Sequence, residues 1–134
     1  MTDALLDTSA YSELMRGHAV IRQTLREVRH VCMSVVVLGE LRAGFRKGSR
    51  PAQNEELLRR FLAESRVRVL PVDEETSERY AVLHHDLVRR GKRLSLNDVW
   101  IAATAHQHGL RVLTTDGDFK QIPQVLVEYV EPLK

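Results

Sequence analysis

The sequence predicts an α/β fold, with a central parallel sheet of five strands flanked by helices on both faces in a single domain over residues 1–134. Three observations lead there. Short apolar runs alternate along the chain with longer segments of helical period. Several helical segments open on Pro or Ser and close on Gly, the ordinary start and stop residues of a helix. Finally, the Asp-Gly pair in TTDGDF is not followed by an alternating strand, so no hairpin is expected there.

Taken in order, ALLD at 4–7 reads as the first strand. Residues 9–16 and 19–29 form a helical pair broken near Gly17, and VCMS at 31–34 is the second strand. A helix over 35–47 ends at the Gly48-Ser49-Arg50-Pro51 loop, with Pro51 placed as the first residue of the next helix, 51–64. VRVLPV at 67–72 is the third strand, and 74–90 is a long helix closed by Gly91. A further helix over 95–108 closes at Gly109, followed by strands RVLTT at 111–115 and VLVEYV at 125–130. No internal repeat, low-complexity tract or interdomain linker interrupts this pattern.

The chain has 134 residues, 43% of them hydrophobic, enough to bury a core without metals or disulfides. Twenty Lys and Arg against 18 Asp and Glu give a net charge of +2, which does not by itself demand a nucleic-acid partner. The single cysteine, Cys32, lies in an apolar run and suits a reducing, cytoplasmic setting. The start MTDALLD lacks a basic region and a long apolar stretch, so no signal peptide is expected. No apolar run reaches the roughly eighteen residues of a membrane span.

Four acids occupy positions unusual for a solvated surface. In a parallel sheet, ligands bind beyond the carboxyl ends of the strands. Asp7 ends the first strand and Asp116 ends the fourth, so both point toward one rim. Singly, each is equally well a junction or turn residue, with Thr8 and Ser9 able to cap the next helix. In SVVVLGELRAG, Glu40 follows Val36 and Val37 at helical spacing, and in SLNDVWIAATAH, Asp98 precedes Ile101, Ala102 and Ala105. Both carboxylates therefore fall near apolar stripes, where an unpaired charge is costly. A basic partner such as Arg42 or Arg111 is one explanation, and proximity to a helix N-terminus is another. A shared cation of the Mg²⁺ or Mn²⁺ type explains all four together. Thr8, Ser9, Thr114, Thr115 and Asn97 flank these acids and are placed to hold waters around them. From the residues alone, this suggests a magnesium-type hydrolytic site suited to phosphodiester cleavage.

The segments LLDTSAY, SVVVLGEL, LNDVWIAATA and VLTTDGDF, in this order, resemble the PIN-domain nucleases over roughly residues 4–130, and among them the VapC-type toxins of toxin–antitoxin pairs. Each motif is weak alone, and four in register make a specific signal. The resemblance implies a metal-dependent endoribonuclease that cleaves RNA with a metal-activated water, using Mg²⁺, for which Mn²⁺ substitutes. It implies a VapB-type antitoxin as partner and a homodimer. Carried over by residue, the acidic site comprises Asp7, Glu40, Asp98 and Asp116. The final motif offers two acids; Asp116 directly follows the strand and is preferred, leaving Asp118 as an outer or helix-start residue.

Other residues carry two readings each. RRGKR at 89–93 either contacts an RNA backbone or is a solvated helix end, and Arg42, Arg46, Lys47 and Arg50 share that ambiguity. His84, His85, His106 and His108 lack zinc-site spacing, and Trp100, Phe61 and Tyr11 are expected in the core, the first two alternatively at an interface. The alternative to a nuclease is a non-catalytic PIN-like module binding RNA or protein. A phosphoacceptor receiver domain is excluded by the missing acidic pair and lysine, and the short length favours RNA over DNA as substrate.

Overall fold

The computed structural model describes residues 2–134. The elements run β1 (Ala4–Leu6), α1 (Thr8–Met15), α2 (Ala19–Arg26), β2 (Val31–Ser34), α3 (Val35–Lys47), α4 (Pro51–Leu62) and β3 (Val67–Leu70). They continue with α5 (Glu74–Arg89), α6 (Leu96–His108), β4 (Arg111–Thr114), a 3₁₀ turn (Gly117–Gln121) and β5 (Val127–Tyr129). Each expected strand and helix is present; β2 and α3 have the expected bounds, and the ends of the others differ by at most three residues. The largest trims, at α2 and at β5, fall where the chain leaves regular hydrogen bonding.

The sheet is parallel throughout, in the order β3-β2-β1-β4-β5. Ala4, Leu5 and Leu6 have no exposed surface, as expected of a central strand covered on both faces. The chain moves outward from β1 through β2 to β3, then returns across β1 to β4 and β5. Because crossovers between parallel strands are right-handed, reversing direction places the later helices on the opposite face of the sheet. The strand order thus switches between β1 and β4, and a crevice opens beyond their carboxyl ends at such a point. Leu5 pairs with Val112 and Leu6 with Leu113, so Asp7 and the end of β4 emerge at the same level.

Helix starts and stops follow the side chains available. Ser34 caps α3 by accepting from the Val36 N–H at 3.0 Å, and Pro51 stands in the first turn of α4. Asp73 and Thr76 form a reciprocal capping box at the start of α5. Gly109 ends α6 at φ 65°, a left-handed conformation that favours glycine. Phe61 and Tyr11 are buried and meet edge to face at 5.4 Å, while Trp100 is half-buried and stacks on Tyr80 between α5 and α6 at 4.0 Å. Cys32 is buried and free, its thiol pushed up to about 11 by burial, by the Asp3 charge and against the opposing pull of Arg68.

Candidate active site

The first strand ends on an acid because that acid starts the next helix. Asp7 is the N-cap of α1, its Oδ1 accepting from the Ala10 N–H at 2.9 Å. Thr8 and Ser9, expected as caps, are instead the first helical residues. Capping passes to Asp7 because the extended backbone it adopts on leaving the strand aims its carboxylate at the free N–H groups. The freed hydroxyls do other work. Ser9 donates to Asp7 at 2.9 Å and accepts the Thr115 N–H at 3.1 Å. The buried Thr114 hydroxyl donates to Asp7 Oδ2 at 2.7 Å and accepts the Asp116 N–H at 2.8 Å. Two hydroxyls therefore lock the ends of β1 and β4 together and fix Asp116 relative to Asp7.

Asp98 occupies the third position of α6, where the Ser95 cap accepts its N–H at 3.1 Å. Asp116 in turn caps the 3₁₀ turn, taking the Asp118 N–H on Oδ1 at 2.9 Å. Asp118 stays exposed in that turn. Carboxylate oxygens of Asp98, Asp116 and Asp118 lie within 4.8 Å of one another. Asp118, expected as an outer or helix-start residue, stands exposed in the first turn of that segment, with a carboxylate oxygen close to those of Asp98 and Asp116. Asp7 belongs to the same electrostatic neighbourhood, since its charge and those of Asp116 and Glu40 act on Asp98. Glu40, half-buried on α3, is held from both sides: Thr8 donates to Oε1 at 2.6 Å and Asn97 to Oε2 at 3.2 Å.

Neither basic partner suggested by the sequence is present. Arg42 makes a forked pair with Glu55, and Arg111 bridges to Glu128 at 2.7 Å. Among the described residues, no Lys or Arg forms an ion pair with Asp7, Glu40, Asp98 or Asp116. The expected result is acids that resist ionisation. Burial pushes the Asp98 carboxyl up to about 6, the Ser95 hydrogen bond opposes it, and the charges of Asp116, Glu40 and Asp7 push further. Asp7 is also raised, mainly by burial, against the hydrogen bonds from Thr114, Ala10 and Ser9 and with a contribution from Asp116. Converging carboxylates without a cationic side chain suit a hard divalent cation, which takes oxygen ligands. Among the described residues, the histidines do not gather into such a group.

The fold and this rim of acids define a class. Residues 4–125 match the PIN domain family, and the chain belongs to it. Within that family, Ribonuclease VapC4 of Mycobacterium tuberculosis is 41% identical over 95 residues, covering 71% of this chain and 73% of that protein. Ribonuclease VapC5 of the same organism is 31% identical over 115 residues, covering 86% and 84%. Among solved structures, VapBC2 from Rickettsia felis, bound to a DNA fragment from its promoter, superposes with a TM-score of 0.86 at 25% identity. That match spans 96% of this chain and 98% of the other.

Proposed function

We propose that this chain acts as one nuclease domain, a metal-dependent endoribonuclease that is the toxin half of a toxin–antitoxin pair. The observation that carries this reading is the Asp98, Asp116 and Asp118 cluster, its carboxylates within 4.8 Å of one another and without a basic partner, at the carboxyl ends of the strands. Its relatives bear the name ribonuclease, and its structural neighbours are VapBC assemblies. A VapB-type antitoxin is the corresponding partner, and two copies of this chain are expected to associate. Among the described residues, no helix is long and apolar enough to cross a membrane.

Asp7, Asp98 and Asp116 are assigned as ligands for Mg²⁺, with Mn²⁺ as substitute, and Asp118 is close enough to share the ion. When bound, the cation supplies Lewis-acid stabilisation of the phosphodiester and activation of water. The remaining work belongs to the protein. The Thr114 and Ser9 hydroxyls hold Asp7 in a single rotamer, so ligand geometry is set before any ion arrives. Glu40 is a ligand or orients the attacking water, its carboxylate fixed by Thr8 and Asn97. With its carboxyl held up near 6 by burial, Asp98 would have to be deprotonated to serve as a ligand, so below that pH it would hold an ion less well. Of the RRGKR cations, Arg89 and Arg90 are occupied by Asp86, which leaves Lys92 and Arg93, just before α6, as the ones available to RNA phosphates.

The test is incubation of the purified, partner-free chain with total tRNA, total rRNA and single-stranded DNA, in Mg²⁺, in Mn²⁺ and with a chelator. Cleavage of RNA that needs the ion supports the reading. Cleavage of DNA in preference to RNA contradicts the substrate assignment, and ion binding without any cleavage leaves a binding module.

A further inference from the structure

One cation near the acid cluster is held by a ring instead of a carboxylate. In a 3₁₀ turn, residues three apart eclipse, so Lys120 stands over Gly117, the residue between Asp116 and Asp118. A side chain begun at Gly117 would meet the Tyr129 ring, at 4.0 Å from Cε1. The Lys120 ammonium lies 4.0 Å from the centroid of that same ring. Tyr129 in turn pairs in register with Thr114 on β4. In-register neighbours in a parallel sheet project to the same face, and the Thr114 hydroxyl reaches Asp7. Ring and ammonium therefore stand beside the turn that carries Asp116 and Asp118.

Lys120 follows Asp118 by two residues in the same 3₁₀ turn. Among the described residues, Lys120 makes no ion pair. The quadrupole of Tyr129 attracts the ammonium without consuming its three N–H donors. The charge is thus held beside the site, uncommitted, and leaves the acids free for a cation.

We propose that Lys120, seated on Tyr129, is a phosphate subsite for the RNA strand, gripping the backbone phosphate next to the one cleaved. Tyr129 is a positioning residue that keeps the ammonium aimed at the nucleic acid. This inference rests on the ribonuclease reading and adds to it where the strand lies: on the β5 side of the acids.

The experiment measures binding of a short, labelled single-stranded RNA to the full chain by fluorescence anisotropy, in chelator so that no cleavage occurs, across a monovalent salt series. Lys120→Gln removes one phosphate contact. For a single strand the salt slope should fall by about 0.7, and affinity near 0.1 M salt by about fivefold. Lys120→Arg and Tyr129→Phe, which keep the charge and the ring, should bind like the wild type, and Tyr129→Leu should behave like Lys120→Gln. An unchanged slope and affinity in Lys120→Gln overturns this inference while leaving the nuclease reading intact. A wild type that binds no RNA at any salt concentration, and cleaves none when Mg²⁺ is restored, overturns both.

Discussion

Replacing Asp98 with Asn should stabilise the metal-free protein while destroying its cleavage activity. Burial, Asp116, Glu40 and Asp7 lift the Asp98 carboxyl from 3.8 to about 6. Two units correspond to about 3 kcal/mol of penalty for ionising it in the folded chain. The carboxylate is only half-buried, so solvent screening reduces this to roughly 1–2 kcal/mol. Asp98 also gains about 0.5 kcal/mol from the positive end of α6, which Asn forfeits. A net gain of about 1 kcal/mol remains. Its sign follows from linkage: the folded pKa lies above the unfolded one, so stability falls as pH rises from about 4 to about 6. Asp98→Asn should therefore match wild type near pH 4 and exceed it at pH 8, by about 3–5 °C in Tm for a chain of this size. The assay is thermal and urea unfolding of both proteins in chelator at the two pH values. Saturating Mg²⁺ should reverse the order, since only wild type keeps the ligand and gains binding energy. Equal or lower stability of the variant at pH 8 would refute the reasoning, because it would mean that burial and the neighbouring acids do not penalise the ionised Asp98.

Three further outcomes follow from the same geometry. Mg²⁺ affinity, measured calorimetrically, should rise with pH through about 6 and then level off, because the ion displaces the Asp98 proton; a flat profile between pH 5 and 8 would contradict it. Thr114→Val removes the donor to Asp7 and the acceptor of the Asp116 N–H, and should cost about 1–3 kcal/mol in urea unfolding. Gly109→Ala forces a Cβ into a left-handed conformation and should cost about 1 kcal/mol without changing RNA cleavage per folded molecule.

Much of the fold was legible because each local signal agreed with the global one. Pro51, Gly91 and Gly109 marked helix ends, and the runs at Ala4–Leu6 and Val31–Ser34 had the apolar character of buried parallel strands. Strand order was not legible, since the reversal after β3 depends on which edges pair and leaves no mark on any single strand. In the site, the shared rim of Asp7 and Asp116 and the inward stripe of Asp98 could be read from spacing. What could not be read were the hydroxyl contacts. Thr114 reaches Asp7 across 107 residues and Thr8 reaches Glu40 across 32, and no periodicity encodes such pairs. The approach of Asp118 to Asp98 was not legible for a related reason: it depends on where the turn after β4 lies relative to the start of α6. Lys120 and Tyr129 had no sequence signature at all, because their meeting depends on β4–β5 register.

The most direct measurement is cleavage of total tRNA and rRNA by wild type and Asp98→Asn, purified identically and shown to be equally folded, across a Mn²⁺ and Mg²⁺ titration. Wild type should cleave with a rate that saturates in the ion and disappears in chelator, and Asp98→Asn should be inactive at every concentration. Equal cleavage by both proteins, or cleavage that persists in chelator, would show that the rim of acids is not where RNA is cut.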